Sequence, residues 1–311
     1  MKITFLDVKT VGRLAELENL EKLGEVDIYM TTKPNETFRR IKDSDIVITN
    51  KVVLDRKIIS RCTKLKLICV AATGTNNIDL EAAKEKGVAV KNVKGYSTDS
   101  VAQHTFAMLF YLINNLAFYD KLVKSKKYSS GQIFTNLDRE IGEIKGKRFG
   151  IIGLGEIGEK VGYLARAFGS DVFYYSTSGS HNHSLFTRLE LNELLSTSDI
   201  ISIHAPLNDK TKNLISLGQL LLMKKTSILI NTGRGGIVNE KDLAKALNKN
   251  LISGAAIDVF EKEPISKTHP LLQVKNKEKI VLTPHIAWSS IEARKTLLQR
   301  IYANIQDFMN K

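Results

Sequence analysis

The stretch FGIIGLGEIGEKVGYLARAFGSDVFYY, residues 149–175, decides the fold. Phe149, Ile151 and Ile152 make a short apolar strand, and Gly153, Gly155 and Gly158 follow as G-x-G-x-x-G at a strand-to-helix turn. A helix with apolar spacing through Ile157, Val161, Leu164, Ala165 and Phe168 comes next, and 171–175 reads as another strand. This is a βαβ unit whose glycines leave bare backbone where a dinucleotide pyrophosphate must approach. The first glycine makes the tight turn, the second admits phosphate and the third lets the helix pack on the sheet. The helix N-terminus then offers its N–H groups to the phosphates. Three glycines at this spacing arise readily by chance; the flanking strands and the continuous helix give the pattern its weight.

Outward from this unit, 311 residues suggest about two domains, and 43% hydrophobic with 25% charged residues is ordinary for a globular chain. No apolar run approaches a membrane span, and residues 1–7 read as a strand rather than a leader, so a cytoplasmic protein without a membrane partner is expected. The net charge of +13 invites a nucleic-acid reading, but the lysines are scattered, with no dense stripe among aromatics. A basic solvated surface that draws in anionic cofactors and substrates is expected instead, with no nucleic-acid partner. Cys62 and Cys69 flank a strand-like run in no metal-binding pattern, so buried reduced thiols and no metal are expected.

Residues 1 to about 98 read as a first α/β domain. Strands are expected at 2–6, 26–30, 45–49, 67–72 and 88–90, with a short helix at 14–23. Continuous apolar runs such as DIVIT fit strands covered on both faces. The order resembles a doubly wound, flavodoxin-like sheet. In ATGTNNID, 72–79, Asn76, Asn77 and Asp79 favour turns and helix caps. The stretch is either an ordinary capped loop or a backbone site near Thr73 and Gly74 for a small anion. A long apolar helix beginning at Val101 carries the chain onward, and 121–145 suit a polar excursion. Beyond the glycines, strands are expected at 200–203, 227–230, 252–259 and 280–283, and 181–187 as a loop. Polar clusters at 204–206, 231–236, 258–263 and 283–288 follow these strands and should converge on one sheet edge. The amphipathic segment 289–309 is expected to return to the first domain. The expected domains are thus 1–98 plus 287–311 for substrate and 99–286 for dinucleotide, with a cleft between them.

Three side chains in those clusters have a joint logic. Moving a hydride onto a ketone carbon builds negative charge on oxygen, and a protonated imidazole such as His285 can neutralise it and hand over a proton. A carboxylate such as Glu263 behind the ring fixes its tautomer and favours its charged form. An arginine such as Arg234 can hold a carboxylate by two hydrogen bonds. On spacing alone, Arg234 could equally bind a backbone carbonyl, Glu263 lie on a surface loop and His285 cap the last helix.

The chain strongly resembles the D-isomer-specific 2-hydroxyacid dehydrogenases. The motifs are ATGTNNID at 72–79, GYSTDSVAQHTFA at 95–107, GIIGLGEIG at 150–158, SDIISIHAPLNDKTKNLI at 198–215, NTGRGGIVNE at 231–240, AAIDVFEKEP at 255–264 and TPHIAW at 283–288. By position, the resemblance makes Arg234 the substrate-carboxylate arginine, Glu263 and His285 the paired acid and acid/base, and Thr73 and Gly74 a backbone anchor for the same carboxylate. It places Asp258 on the nicotinamide carboxamide. Val101, Gly155, Glu156, Ile157, His204 and Ala205 fall at cofactor positions, as do Pro206, Thr211, Thr232 and Gly233. It implies two doubly wound parallel-sheet domains, a Rossmann NAD(P) domain among them, and a homodimer formed through that domain. The variants of three motifs look most like the glycerate-forming branch, which reduces hydroxypyruvate to D-glycerate. D-lactate, glyoxylate and phosphoglycerate are the rival substrates, and a dinucleotide-sensing interaction protein is the rival without catalysis. Trp288 could line the substrate pocket or pack on the returning helix.

One position departs from the pattern. An NAD enzyme usually ends the second strand with an acid that receives the adenosine ribose hydroxyls. This chain has Ser176 there, followed by Thr177, Ser178, His181 and His183, and the nearest arginine is Arg188. No acid repels a 2'-phosphate and no adjacent arginine clamps one. NAD is the expected cofactor, with NADP or dual use as the alternative.

Overall fold

Four-residue apolar runs set up the first sheet. Strands β1 (Lys2–Phe5), β2 (Glu25–Ile28), β3 (Ile46–Thr49), β4 (Leu67–Val70) and β5 (Ala89–Asn92) pair in parallel in the order β2-β1-β3-β4-β5. The central runs IVIT and LICV are buried along their whole length, as strands covered on both faces must be. Helices α1 (Pro34–Ile41), α2 (Arg56–Arg61) and α3 (Leu80–Glu85) connect them. The Asp55 and Asp79 side chains accept from Ile58 N and Ala82 N at 2.9 and 2.8 Å, satisfying N–H groups at the starts of α2 and α3. Residues 15–23 are a 3-10 helix rather than an α-helix. Leu17, Leu20 and Leu23, its buried residues, recur every third position, which is the period of a 3-10 turn.

This computed structural model describes residues 1–12, 14–179 and 182–310. It divides into one unit of 1–97 with 289–311 and another of 98–288, so Ala287 and Trp288 group with the second. The second unit opens with α4 (Thr98–Ile113) and α5 (Leu116–Lys124). A parallel seven-stranded sheet follows: β6 (Arg148–Ile152), β7 (Asp171–Tyr175), β8 (Thr187–Arg188), β9 (Ile200–Ile203), β10 (Ile228–Asn231), β11 (Gly254–Ile257) and β12 (Ile280–Leu282). Its order is β12-β11-β10-β9-β6-β7-β8, so the order reverses at β6, between β9 and β7. Helix α6 (Glu156–Ala167) joins β6 to β7, and α7 (Leu191–Thr197), α8 (Leu217–Leu222) and α9 (Glu240–Asn248) fill later crossovers.

Alternate strand residues enter opposite cores. Ile151, Ile230 and Ala256 join Phe106, Leu109 and Val161 in one cluster. Ile152, Leu229 and Ala255 join Leu194, Leu220 and Leu243 in the other. Burying each large aliphatic side chain contributes about 1.5–3 kcal/mol, so the sheet is held from both faces. Gly162 lets α6 lie on Phe186, whose ring a Cβ would meet at 2.7 Å. The edge strand β8 begins at Thr187, the last residue of the stretch expected as loop. Its two residues are too short a run to show strand periodicity.

Helix α10 (Ile291–Met309) belongs to the first unit and buries Ala293, Leu297, Leu298, Ile301 and Ile305 there. Lys91 Nζ donates to Asn304 O at 3.0 Å and Asn304 Nδ2 to Asn92 O at 3.2 Å, which ties the helix to β5. Among the described residues no helix is long and apolar enough to cross a membrane. Cys62 and Cys69 are buried free thiols, and burial pushes Cys69 up to about 12.

Candidate active site

Strand register builds the site. Ile152 pairs with Tyr175 and Ile203, Ile203 with Asn231, Asn231 with Ile257, and Ile257 with Leu282. All these pairs are parallel, so the next residue of each strand falls in one row: Gly153, Ser176, His204, Thr232, Asp258 and Thr283. The polar clusters of the sequence thus do converge on the carboxyl edge of the sheet, where ligands bind in such folds.

The glycine turn fits a pyrophosphate. Gly153 has φ +90°, and a Cβ there would come within 2.8 Å of the Ala205 backbone. A Cβ on Gly158 would meet Gly153 O at 2.2 Å, so the helix start packs where only glycine fits. At Gly155, the residue before α6, a Cβ would meet nothing within 4 Å. That open space at the head of a twelve-residue helix suits an anion. Glu156 and Ile157 open the helix beside it.

His204 lies in a chain of hydrogen bonds. Its Nε2 is 2.8 Å from Ser202 Oγ, its Nδ1 3.4 Å from Thr232 Oγ1, and Thr232 Oγ1 3.2 Å from Thr105 Oγ1. Thr105 Oγ1 donates to Val101 O at 2.8 Å, bringing Val101 to the end of the chain. Burial pushes the His204 imidazole down to about 3, so the ring is neutral at pH 7. Thr211, fully buried, donates to Pro206 O at 2.6 Å and closes the turn after Ala205. Ser176 is buried at the end of β7, and Thr177 follows it half-buried. His181 lies outside the described residues. Arg188 reaches back from β8 to donate to Gly179 O at 2.8 Å.

Asp258, fully buried, clasps the loop that follows β12. Its Oδ1 accepts from Thr283 Oγ1 at 2.6 Å and Ile286 N at 2.9 Å, and its Oδ2 from Ala287 N at 2.9 Å. His104 Nε2 stands 3.7 Å from Oδ1 and 3.1 Å from Thr283 Oγ1. The clasped loop turns sharply, with His285 in the left-handed region at φ +56° and its N–H donating to Asp258 O at 2.8 Å. A non-glycine residue there costs about 1 kcal/mol, which the clasp offsets. The turn brings His285 Nδ1 to 2.7 Å from Glu263 Oε2. Glu263 Oε1 accepts from Phe260 N at 2.9 Å, so both carboxylate oxygens are engaged. With Nδ1 facing the carboxylate, Nε2 is the ring atom left for chemistry.

Arg234 projects from the turn after β10. Asn231 shapes that turn, accepting from Gly233 N at 3.1 Å and donating to Arg234 O at 3.0 Å. The Arg234 guanidinium is exposed and donates to Gly233 O at 2.8 Å, so the backbone-carbonyl alternative is met, by its own neighbour. The structure therefore joins His285 to Glu263 directly and sets Arg234 on the same sheet edge. Trp288 is half-buried at the end of the clasped loop. In the first unit, Thr73 and Gly74 follow β4, and Thr73 Oγ1 donates to Val93 O at 3.0 Å. Sequence reasoning missed Asn231, Thr283 and His104. Each lies within a quoted motif, but only the register of the sheet shows what it touches. Among the described residues no group of three or more His, Cys, Asp or Glu side chains could hold a metal ion.

Comparison with known proteins agrees with this geometry. Residues 106–287 match the family model described as D-isomer specific 2-hydroxyacid dehydrogenase, NAD binding domain. A Haemophilus influenzae protein named as a 2-hydroxyacid dehydrogenase is 39% identical over 315 residues, covering 100% of this chain and 99% of that one. The hydroxypyruvate reductase of Blautia hydrogenotrophica is 36% identical, covering 99% and 97%. A solved acyclic imino acid reductase, in complex with NADPH and D-Arg, superposes with a TM-score of 0.89 at 29% identity, covering 100% and 97%. The chain belongs to the D-isomer-specific 2-hydroxyacid dehydrogenase family, oxidoreductases that use a nicotinamide dinucleotide and act on the CH–OH group of their substrates.

Proposed function

We propose that this protein reduces small 2-keto acids, hydroxypyruvate to D-glycerate first among them, with NADH as donor and NADPH also accepted. The 2.7 Å contact between His285 Nδ1 and Glu263 Oε2, on the sheet edge that carries the glycine turn, is the observation that carries this reading. The hydroxypyruvate reductase name of a relative 36% identical supports the substrate.

Gly153, Gly155 and Gly158 would hold the pyrophosphate, Ser176 and Thr177 the adenosine ribose, and Thr232 and Asp258 the nicotinamide end. When bound, the reduced dinucleotide supplies the hydride that C2 of the keto acid receives. Arg234 binds the substrate carboxylate by paired, charge-assisted hydrogen bonds. For the first unit, the backbone N–H groups of Thr73 and Gly74 are assigned to a carboxylate as well. Glu263 holds Nδ1–H, so His285 gives its Nε2 proton to the oxygen that becomes the hydroxyl. In the reverse direction neutral Nε2 takes that proton back. Trp288 is assigned to the wall beside the substrate's C3 end. Ser176, unlike an acid, leaves a 2'-phosphate unopposed, and the NADPH held by the imino acid reductase supports dual use.

The protein is further proposed to be cytoplasmic and a homodimer formed through the second unit. Ile133, Phe134, Leu137 and Ile141, in the excursion after α5, are 69%, 90%, 80% and 59% exposed, a run of apolar surface that favours burial against another copy. Light scattering of the wild type and of Phe134→Glu checks this, with a dimer and a monomer expected.

Loss of reduced-nicotinamide absorbance tests the activity, with hydroxypyruvate, glyoxylate and pyruvate each against NADH and NADPH. Fast turnover of hydroxypyruvate with either donor is expected. Faster turnover of pyruvate would replace the proposed substrate by lactate chemistry. No turnover of any keto acid by a protein that still binds dinucleotide would favour the sensing role.

A further inference from the structure

Another His–carboxylate contact, between His269 and Glu240, stands beside the segment that carries Glu263. Glu240, the first residue of α9, places Oε2 2.8 Å from His269 Nε2 and accepts at Oε1 from Glu261 N at 2.8 Å. Both side chains are largely withdrawn from solvent, His269 at 9% and Glu240 at 13% exposed. His269 Nδ1 accepts from Leu271 N at 3.4 Å, which leaves the proton on Nε2, directed at Glu240. The His269 ring also meets Phe260 edge-on, with centroids 5.6 Å apart at 84°.

We propose that Glu240 and His269 are positioning residues for the Glu263–His285 pair. The inference rests on the assignment of that pair to proton transfer. The segment 260–263 has Phe260 N on Glu263 Oε1 at one end and Glu261 N on Glu240 at its middle. It is therefore tied twice, once to the acid it carries and once to the rigid start of a helix. His269 holds the Glu240 carboxylate in the orientation that leaves Oε1 for Glu261. A third tie comes from Gly235. A Cβ there would lie 1.9 Å from Phe260 C and O, so the Arg234 turn and the Glu263 segment touch backbone to backbone. Releasing Glu240 frees the segment to drift, and a misplacement of about 1 Å at a reacting group can cost about 100-fold in rate.

A double-mutant cycle in kcat tests this, with Glu240→Ala, Glu263→Ala and the double variant. Glu240→Ala is expected to lower kcat by about 10- to 100-fold. Added to Glu263→Ala, it should cost less than about 2-fold more, because the residue it acts through is already gone. NADH affinity, read by nicotinamide fluorescence, should stay within about 2-fold in every variant, since the glycine turn is untouched. His269→Gln, which keeps a donor for Glu240, should retain more kcat than His269→Ala. A kcat near wild type in Glu240→Ala, or losses that multiply in the double variant, would overturn the proposal. If Glu240→Ala does not fold, the cycle of His269→Ala with Glu263→Ala is read by the same rule. A Glu263→Ala enzyme as fast as wild type would refute the assignment of the pair itself, an outcome distinct from multiplying losses.

Discussion

Asp7 and Asp258 do the same structural work in different sheets. Asp7 follows β1 and takes the N–H groups of Asn50, Lys51 and Val52 from the loop after the neighbouring strand β3, at 2.6 to 3.3 Å. Asp258 follows β11 and takes those of Ile286 and Ala287 from the loop after its neighbour β12. Both carboxylates are buried, 3% and 0% exposed. Each satisfies backbone donors that would otherwise be stranded where a loop leaves a sheet edge. The loops differ in what they carry. Asp258 also holds the Thr283 hydroxyl, and its loop presents His285 to Glu263. A buried clasp thus shapes a loop, and the two loops part in the side chain that the shaped loop presents.

The sharpest break in the comparison is removal of that side chain. His285→Ala should lower kcat by about 100- to 10,000-fold in steady-state kinetics while the fold persists. Next comes Arg234→Ala, which should raise the keto-acid KM by about 10- to 100-fold, the loss of a charged hydrogen-bonded contact of about 1.5–3 kcal/mol. The two clasps then part company. Asp7→Ala and Asp258→Ala should each cost about 1–3 kcal/mol of stability in urea unfolding, because each leaves buried N–H groups unpaired. Only Asp258→Ala should also lose most of its kcat. Equal kinetic losses in the two variants would break the distinction.

Two buried groups also make stability depend on pH, and their signs oppose. Burial raises the Asp7 carboxyl above its ordinary value, with its three N–H donors partly offsetting the rise. A raised folded value means stability that is present below about 3.8 and is lost as pH climbs through the folded value. His204 is lowered from 6.5 to about 3 by burial. Its contribution is present above 6.5 and is lost as pH falls from there toward 3, with a limiting slope of about 1.4 kcal/mol per pH unit. Urea midpoints followed across this range should flatten between pH 3 and 6.5 in His204→Gln, and the Asp7 component should vanish in Asp7→Asn.

Much of this is legible in the sequence alone. The glycines at 153, 155 and 158 named the turn, the apolar runs named the strands, and polar residues after each strand marked one edge. Parallel register then had to align those clusters. The clasps were not legible. Asp258 meets its donors 28 and 29 positions away, and Glu240 meets His269 29 positions away, distances at which local pattern carries no signal. The 3-10 form of 15–23 was hidden for another reason: leucines three apart satisfy an α-helical pattern almost as well.

The contact of Gly235 with Phe260 has a consequence for the length of substrate. On the proposed assignment, one backbone carries the group that grips the carboxylate and the other carries the acid behind the proton donor. Main chain resting on main chain leaves no side chain to trim, so the spacing of the two backbones resists substitutions in the surrounding core. A 3-oxo acid sets its carbonyl one carbon farther from its carboxylate and would arrive out of step with that spacing. On that assignment the two backbones would gauge the separation of two functional groups, whatever the rest of the acid looks like.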